Sequence, residues 1–189
     1  MSNNSTSTFN LRMTVYCALF TALIIIGGYI SIPIGPVPVV LADFFVMVAG
    51  LFLGFKYGAM CVTLYIVLGT LGMPVFAGGS AGLAILLGPT GGYLLGYLVM
   101  AAFIGFFSSK IKPSIAAHLI ALIIGNILLY MIGVPWLKVI LNMSWKAALY
   151  AGFTPFIIGT VIKIAVAVAL GCVLLPRFKP YAGQVNNEG

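Results

Sequence analysis

Nine basic and two acidic side chains are spread over 189 residues, and three of these charges fall inside apolar stretches: Asp43, Lys56 and Lys163. Lys163 is the most demanding. It lies in the run 155–175 with no acid near it in sequence. An ammonium there is costly unless it meets a partner or a ligand. Thr160, three residues earlier, shares its helix face. Asn126, Tyr65 and Asp43 bring an amide, a phenol and a carboxylate from other runs. Such a set can hydrogen-bond a small buried solute, donating and accepting at several points. It can also act as structural glue, through a Lys163–Asp43 ion pair and an interhelical Asn bond. Asp43 alone fits a helix cap equally well.

Other chemistries find little support. Two acids and one histidine cannot supply the paired acids, Ser–His pairs or ligand clusters that membrane hydrolases use, so no enzyme is expected. His118 has no ligand-type neighbour in sequence and reads as an interfacial histidine, not a metal ligand. Cys17, Cys61 and Cys172 form no ligand-spaced pair and read as buried spectators, without disulfide or metal. Gly88-Pro89-Thr90-Gly91-Gly92 lacks the GKS/GKT ending of a P-loop and follows no strand. As a helix N-terminus, however, it can present the Gly91 and Gly92 amides to a carboxylate. No nucleotide-binding motif is visible, so any ATP-driven step must belong to another chain. No charge ring or repeated filter sequence marks a channel.

The elements that position these residues must be membrane helices. A composition that is 62% hydrophobic and 6% charged does not suit a soluble domain, where about 25% is charged. The chain reads as one membrane domain over residues 1–189: a polar tail at 1–10, a bundle at 11–176 and a second tail at 177–189. Six spans are predicted at residues 11–30, 39–54, 57–71, 91–107, 115–132 and 156–175. The second and third are short against a hydrocarbon core of ~30 Å and must tilt or be capped by dipping loops. No basic n-region precedes the first span, so no cleavable signal peptide is read.

Six spans put both termini on one side. That side collects Arg12, Lys56, Lys110, Lys112, Arg177 and Lys179, against Lys138 and Lys146 opposite. The excess makes the termini cytoplasmic and the loops at 31–40 and 72–92 outward. The basic residues sit at segment ends, which argues for topology and against nucleic-acid binding. The uncharged loop 72–92 is expected to fold back as a lid or pocket wall. Segment 133–155 is expected to hold a short interfacial helix anchored by Trp136 and Trp145. At ~1.5 Å per residue, Lys163 and Asn126 lie about 11 and 9 Å below the outer ends of their spans. Asp43 and Tyr65 are likewise in the outer third. Ala18 and Ala22 form a small-xxx-small pair on the first span, fit either for packing inside the bundle or for contact with another helix.

Longer motifs then point to a family. The stretch YIVLGTLGMPVFAGGSAGLAILLGPTGGYLLGY (65–97), preceded by PIGPVPVVLADFFVMVAGLFLG (33–54), resembles the biotin-specific BioY family. These proteins are substrate-binding (S) components of energy-coupling-factor transporters. GVPWL (133–137), MSW (143–145) and the pattern P-F-x-x-G-x-x-x-K from Pro155 to Lys163 extend the likeness over nearly the whole chain. The resemblance implies a six-helix membrane bundle with an outward pocket, in the cell membrane, binding biotin without a cofactor. It also implies a transmembrane coupling subunit and two ATPases as partners, with Ala18 and Ala22 facing the coupling subunit.

Lys163 would donate to the ureido oxygen or to the carboxylate, with Thr160 and Asn126 completing the ureido bonds. Asp43, Tyr65 and Tyr93 would join them in the pocket, and the Gly91 and Gly92 amides would meet the tail. Two departures stand out. Gly159 is followed by Thr160 where members often carry Asp, and Leu41-Ala42-Asp43 stands where many have Leu-Gln. Asp43 is a spatial substitute for the acid missing at 160 if the fold brings it there. A standalone facilitator or secondary carrier for another small vitamin is the other reading open to the residues. A purely structural subunit would leave the glycine-rich loop unexplained.

Overall fold

The computed structural model describes residues 4–111 and 114–182, with side chains described over 11–111 and 114–175. Lys112 and the side chains of Arg177 and Lys179 fall outside that description. Among the described residues, five helical stretches are long and apolar enough to cross a bilayer: Leu11–Tyr29, Ala42–Thr70, Gly91–Lys110, Ile115–Ile140 and Trp145–Leu175. The chain runs α1 (Asn4–Tyr29), β1 (Ser31–Ile32), β2 (Val39–Val40), α2 (Ala42–Thr70), α3 (Leu83–Leu87), α4 (Gly91–Lys110), α5 (Ile115–Ile140), α6 (Trp145–Gly152) and α7 (Ile157–Ala182).

Because α1 is apolar all round, its faces are sorted by packing and not by polarity. Cys17, Thr21 and Ile24 turn inward, and Thr21 Oγ1 donates to Cys17 O at 2.9 Å and Cys61 O at 3.2 Å. Val15, Ala18, Leu19, Ala22 and Ile26 form the exposed face.

Helix α2 is not one straight rod. Gly54 adopts φ 73° and ψ −172°, a combination open essentially to glycine alone. The chain reverses there: a Cβ placed on Gly58 would lie 3.1 Å from Gly50 Cα. In a straight helix residues eight apart are about 12 Å apart, so the two arms lie side by side. The turn packs on α4, where Phe55 and Phe106 meet edge to face at 6.5 Å. Lys56 and Lys110 thus share one end of the molecule.

Three sequence expectations need correction. The fold is not purely helical, because residues 31–40 pair as an antiparallel hairpin, Ser31 opposite Val40 and Ile32 opposite Val39. Proline-rich segments are poor ladder formers, but here the strands need only two residues each, and Leu41 N anchors them by donating to Gly27 O and Ile30 O. Helix α5 continues through Pro135 to Ile140, eight residues beyond the predicted end. A proline inside a membrane helix is tolerated where neighbours satisfy the freed carbonyl. His118, finally, is not interfacial: it is 4% exposed and faces α7, with Cys172 Sγ 3.8 Å from Nδ1.

Candidate functional site

The end of the bundle opposite Lys56 and Lys110 holds a cavity of about 150 Å3. Its walls come from the β-hairpin (Val37, Val40), the end of α2 (Tyr65) and the start of α4 (Tyr93, Tyr97). The segment between α2 and α4 contributes Phe76, Ala77, Ser80, Ile85 and Thr90. That segment turns back over the helices through a short 3-10 turn (Ala77–Gly79) and α3. Phe76 is 1% exposed and stands edge-on to Tyr65 at 5.5 Å. The lining is aromatic and aliphatic with a few hydroxyls, the usual make-up of a small-molecule site.

Beside the cavity wall lies the ion pair. Lys163 Nζ donates to Asp43 Oδ1 at 2.7 Å, Asp43 Oδ2 at 3.0 Å and Val40 O at 2.6 Å. An ammonium has three N–H donors, so this one is fully engaged. Asp43 lies in the first turn of α2, where the helix dipole favours a carboxylate. The side chains are 13% and 9% exposed. Charges of opposite sign cancel here, so the spot offers donors and acceptors with little net field. Val40 joins the two features: its side chain lines the cavity while its carbonyl holds Lys163.

The remaining predicted residues distribute around this core. Thr160 Oγ1 lies 2.8 Å from Tyr130 Oη, and the Tyr130 ring packs against Phe153 at 5.0 Å and Phe156 at 6.3 Å. Asn126 Nδ2 donates to Leu122 O at 2.9 Å and to Met47 Sδ at 3.1 Å. Its buried Oδ1 has no hydrogen-bond partner among the described residues. Tyr93 donates its hydroxyl to Gly152 O at 2.8 Å and stacks on Phe156. Of the predicted set, Tyr65 and Tyr93 border the cavity directly, whereas Lys163, Asp43, Thr160, Asn126, Gly91 and Gly92 stand outside its lining.

Gly91 and Gly92 have a packing role that spacing did not reveal. The Gly91 amide donates to Gly88 O at 3.1 Å, and a side chain on Gly92 would collide with Trp136. Trp136 Nε1 donates to the same Gly88 carbonyl at 2.9 Å. Trp136 is therefore a half-buried tie between α5 and the turn before α4, not an interfacial anchor. Trp145 is 56% exposed and carries Lys138 Nζ 5.2 Å from its ring centroid. Tyr97, Phe76, Tyr130 and Trp136 were not singled out from the sequence. Tyr97 had a signal, since its four-residue spacing from Tyr93 puts both on one helix face. The others meet the site only through tertiary packing.

Membrane-length helices around an aromatic cavity with a buried ion pair at its edge define an integral membrane protein of the solute-binding kind. The BioY family model matches residues 1–180, and the chain belongs to that family. It is 41% identical over 157 residues to the "Biotin transporter BioY" of Thermotoga maritima, covering 83% of this chain and 92% of that one. The "Biotin transporter BioY2" of Lactococcus lactis is 39% identical over 158 residues, covering 84% and 87%. Among solved structures, the S-component for biotin from an ECF-type ABC transporter superposes with a TM-score of 0.80 at 35% identity, covering 90% of this chain and 92% of that one.

Proposed function

We propose that this chain is the biotin-binding S component of an energy-coupling-factor transporter of the cell membrane. The observation that carries the reading is the engaged Lys163–Asp43 pair at the edge of an aromatic cavity, in a chain whose relatives are biotin transporters. A ureido group has two N–H donors and one carbonyl. Asp43 can accept from the N–H groups while Lys163 exchanges Val40 O for the ureido oxygen. The pair then stays neutral, and no charge is stranded. Asp43 in this way supplies the acid absent at Thr160. Thr160 and Asn126 stand near enough in the bundle to adjust with the ligand, and the unpartnered Asn126 Oδ1 is a waiting acceptor. Because the Gly91 amide is already bonded, the Gly92 amide is the better candidate for the carboxylate tail.

The two arms of α2 count as separate crossings in this reading, giving six, with cytoplasmic termini and the cavity outward. The Gly54 turn supports the count, and the placement of Lys56 and Lys110 at the far end supports the orientation. Uptake then requires a transmembrane coupling subunit and two ATPases, since this chain has no nucleotide motif. Equilibrium binding of radiolabelled biotin to the purified chain without ATP tests the proposal. One-to-one binding that other vitamins fail to displace is expected; displacement by an unrelated vitamin would favour a carrier of different specificity.

A further inference from the structure

Five hydroxyl-bearing side chains border the cavity: Tyr65, Ser80, Thr90, Tyr93 and Tyr97. Three are engaged within the protein. Ser80 Oγ donates to Ala77 O at 2.9 Å, Thr90 Oγ1 to Ile85 O at 3.3 Å and Tyr93 Oη to Gly152 O at 2.8 Å. Tyr65 and Tyr97 differ, for neither phenol hydrogen-bonds any described residue. Yet both are deeply buried, 2% and 7% exposed. Buried tyrosine hydroxyls ordinarily find a partner, and one left without it is costly.

Their position fixes what could serve as that partner. Tyr65 lies five residues before the end of α2 and Tyr97 six after the start of α4. At ~1.5 Å per residue both sit about 8–9 Å below the loop end, at the floor of the cavity. Val37, Ala77 and Ser80 are loop residues at its roof. No lining side chain carries a charge. A carboxylate taken to the floor would lose its water without gaining a cation, whereas at the roof it keeps solvent. A phenol can donate to a carbonyl or accept from an N–H, which suits an uncharged polar group.

We infer that Tyr65 and Tyr97 are ligand-contacting residues whose hydroxyls hold the uncharged head of the bound solute, leaving its carboxylate at the loop end. The inference rests on the biotin reading, in which that head is the ureido ring. Phe76, edge-on to Tyr65, sets the ring that presents one of the two hydroxyls.

The test uses the full chain in detergent, with wild type, Tyr65→Phe and Tyr97→Phe compared for binding of radiolabelled biotin and for unfolding temperature without ligand. Competition by biotin amide, whose carboxylate is neutralised, is measured alongside. Each variant should weaken biotin by about fivefold or more, the scale of one lost hydrogen bond. The same factor should appear for the amide, and ligand-free unfolding should stay at or above the wild-type temperature. Wild-type affinity in both variants would overturn the inference. So would a loss seen with the acid but not the amide, which would place the phenols on the carboxylate, or a fall in ligand-free stability, which would give them an internal partner. A wild-type chain that ignores biotin would overturn the parent reading as well.

Discussion

Lys163 shows how far one residue can be read in advance and where that stops. Its buried charge demanded a partner, and the partner is Asp43, 120 positions away in sequence. The pairing also changes what a single substitution does. Lys163→Met alone strands the Asp43 carboxylate in an apolar setting, and breaking a buried pair in this way costs on the order of 3 kcal/mol. Adding Asp43→Asn removes the stranded charge. Thermal unfolding in detergent should therefore show Lys163→Met below wild type and Lys163→Met/Asp43→Asn restored to near wild type. Equal stability of the two variants would mean that Asp43 is satisfied elsewhere. Individual charges were legible because the membrane makes each one conspicuous. Tyr97 and Phe76 were not, because one more aromatic in a chain with 13 Phe and 9 Tyr carries no distinguishing mark until packing selects it.

Helices were legible as elements, their ends less so. The division of residues 39–71 into two arms follows from Gly54, whose geometry no side chain adopts cheaply. Gly54→Ala should destabilise the chain by about 1–3 kcal/mol through backbone strain alone, read as a lowered unfolding temperature; a neutral result would mean that the arms do not depend on that turn. The extension of α5 through Pro135 was hidden, since proline in sequence argues for a stop. Its consequence is the Trp136–Gly88 bond, which ties α5 to the segment roofing the cavity. Trp136→Phe keeps the ring but loses the N–H, and should weaken that tie by about 1 kcal/mol. Faster biotin release, followed in a chase with unlabelled ligand, is the expected sign; an unchanged off-rate would free the roof from any dependence on Trp136.

The whole molecule divides its two ends between tasks: cavity and hairpin at one, Gly54 turn and basic residues at the other. Between them the exposed face of α1 presents Ala18 and Ala22, so the pair is not consumed by packing inside the bundle. Small residues let another helix approach closely in lipid. Ala18→Trp or Ala22→Trp should keep biotin binding and lose both ATP-driven uptake and co-purification with a coupling subunit. Retention of all three would show that the face meets only lipid. Spacing alone had left inside and outside equally open, because a helix apolar all round does not reveal its buried side.

The central claim is that the Lys163–Asp43 pair binds solute and is not merely a clasp between α7 and α2. Calorimetric titration of biotin into Lys163→Met/Asp43→Asn addresses it most directly, since the double substitution removes the pair without stranding a charge. Affinity should fall by at least tenfold, about 1.4 kcal/mol, within the range for hydrogen bonds to charged groups, while wild type binds one equivalent. A folded double variant with wild-type affinity would contradict the account and leave the pair as structure alone.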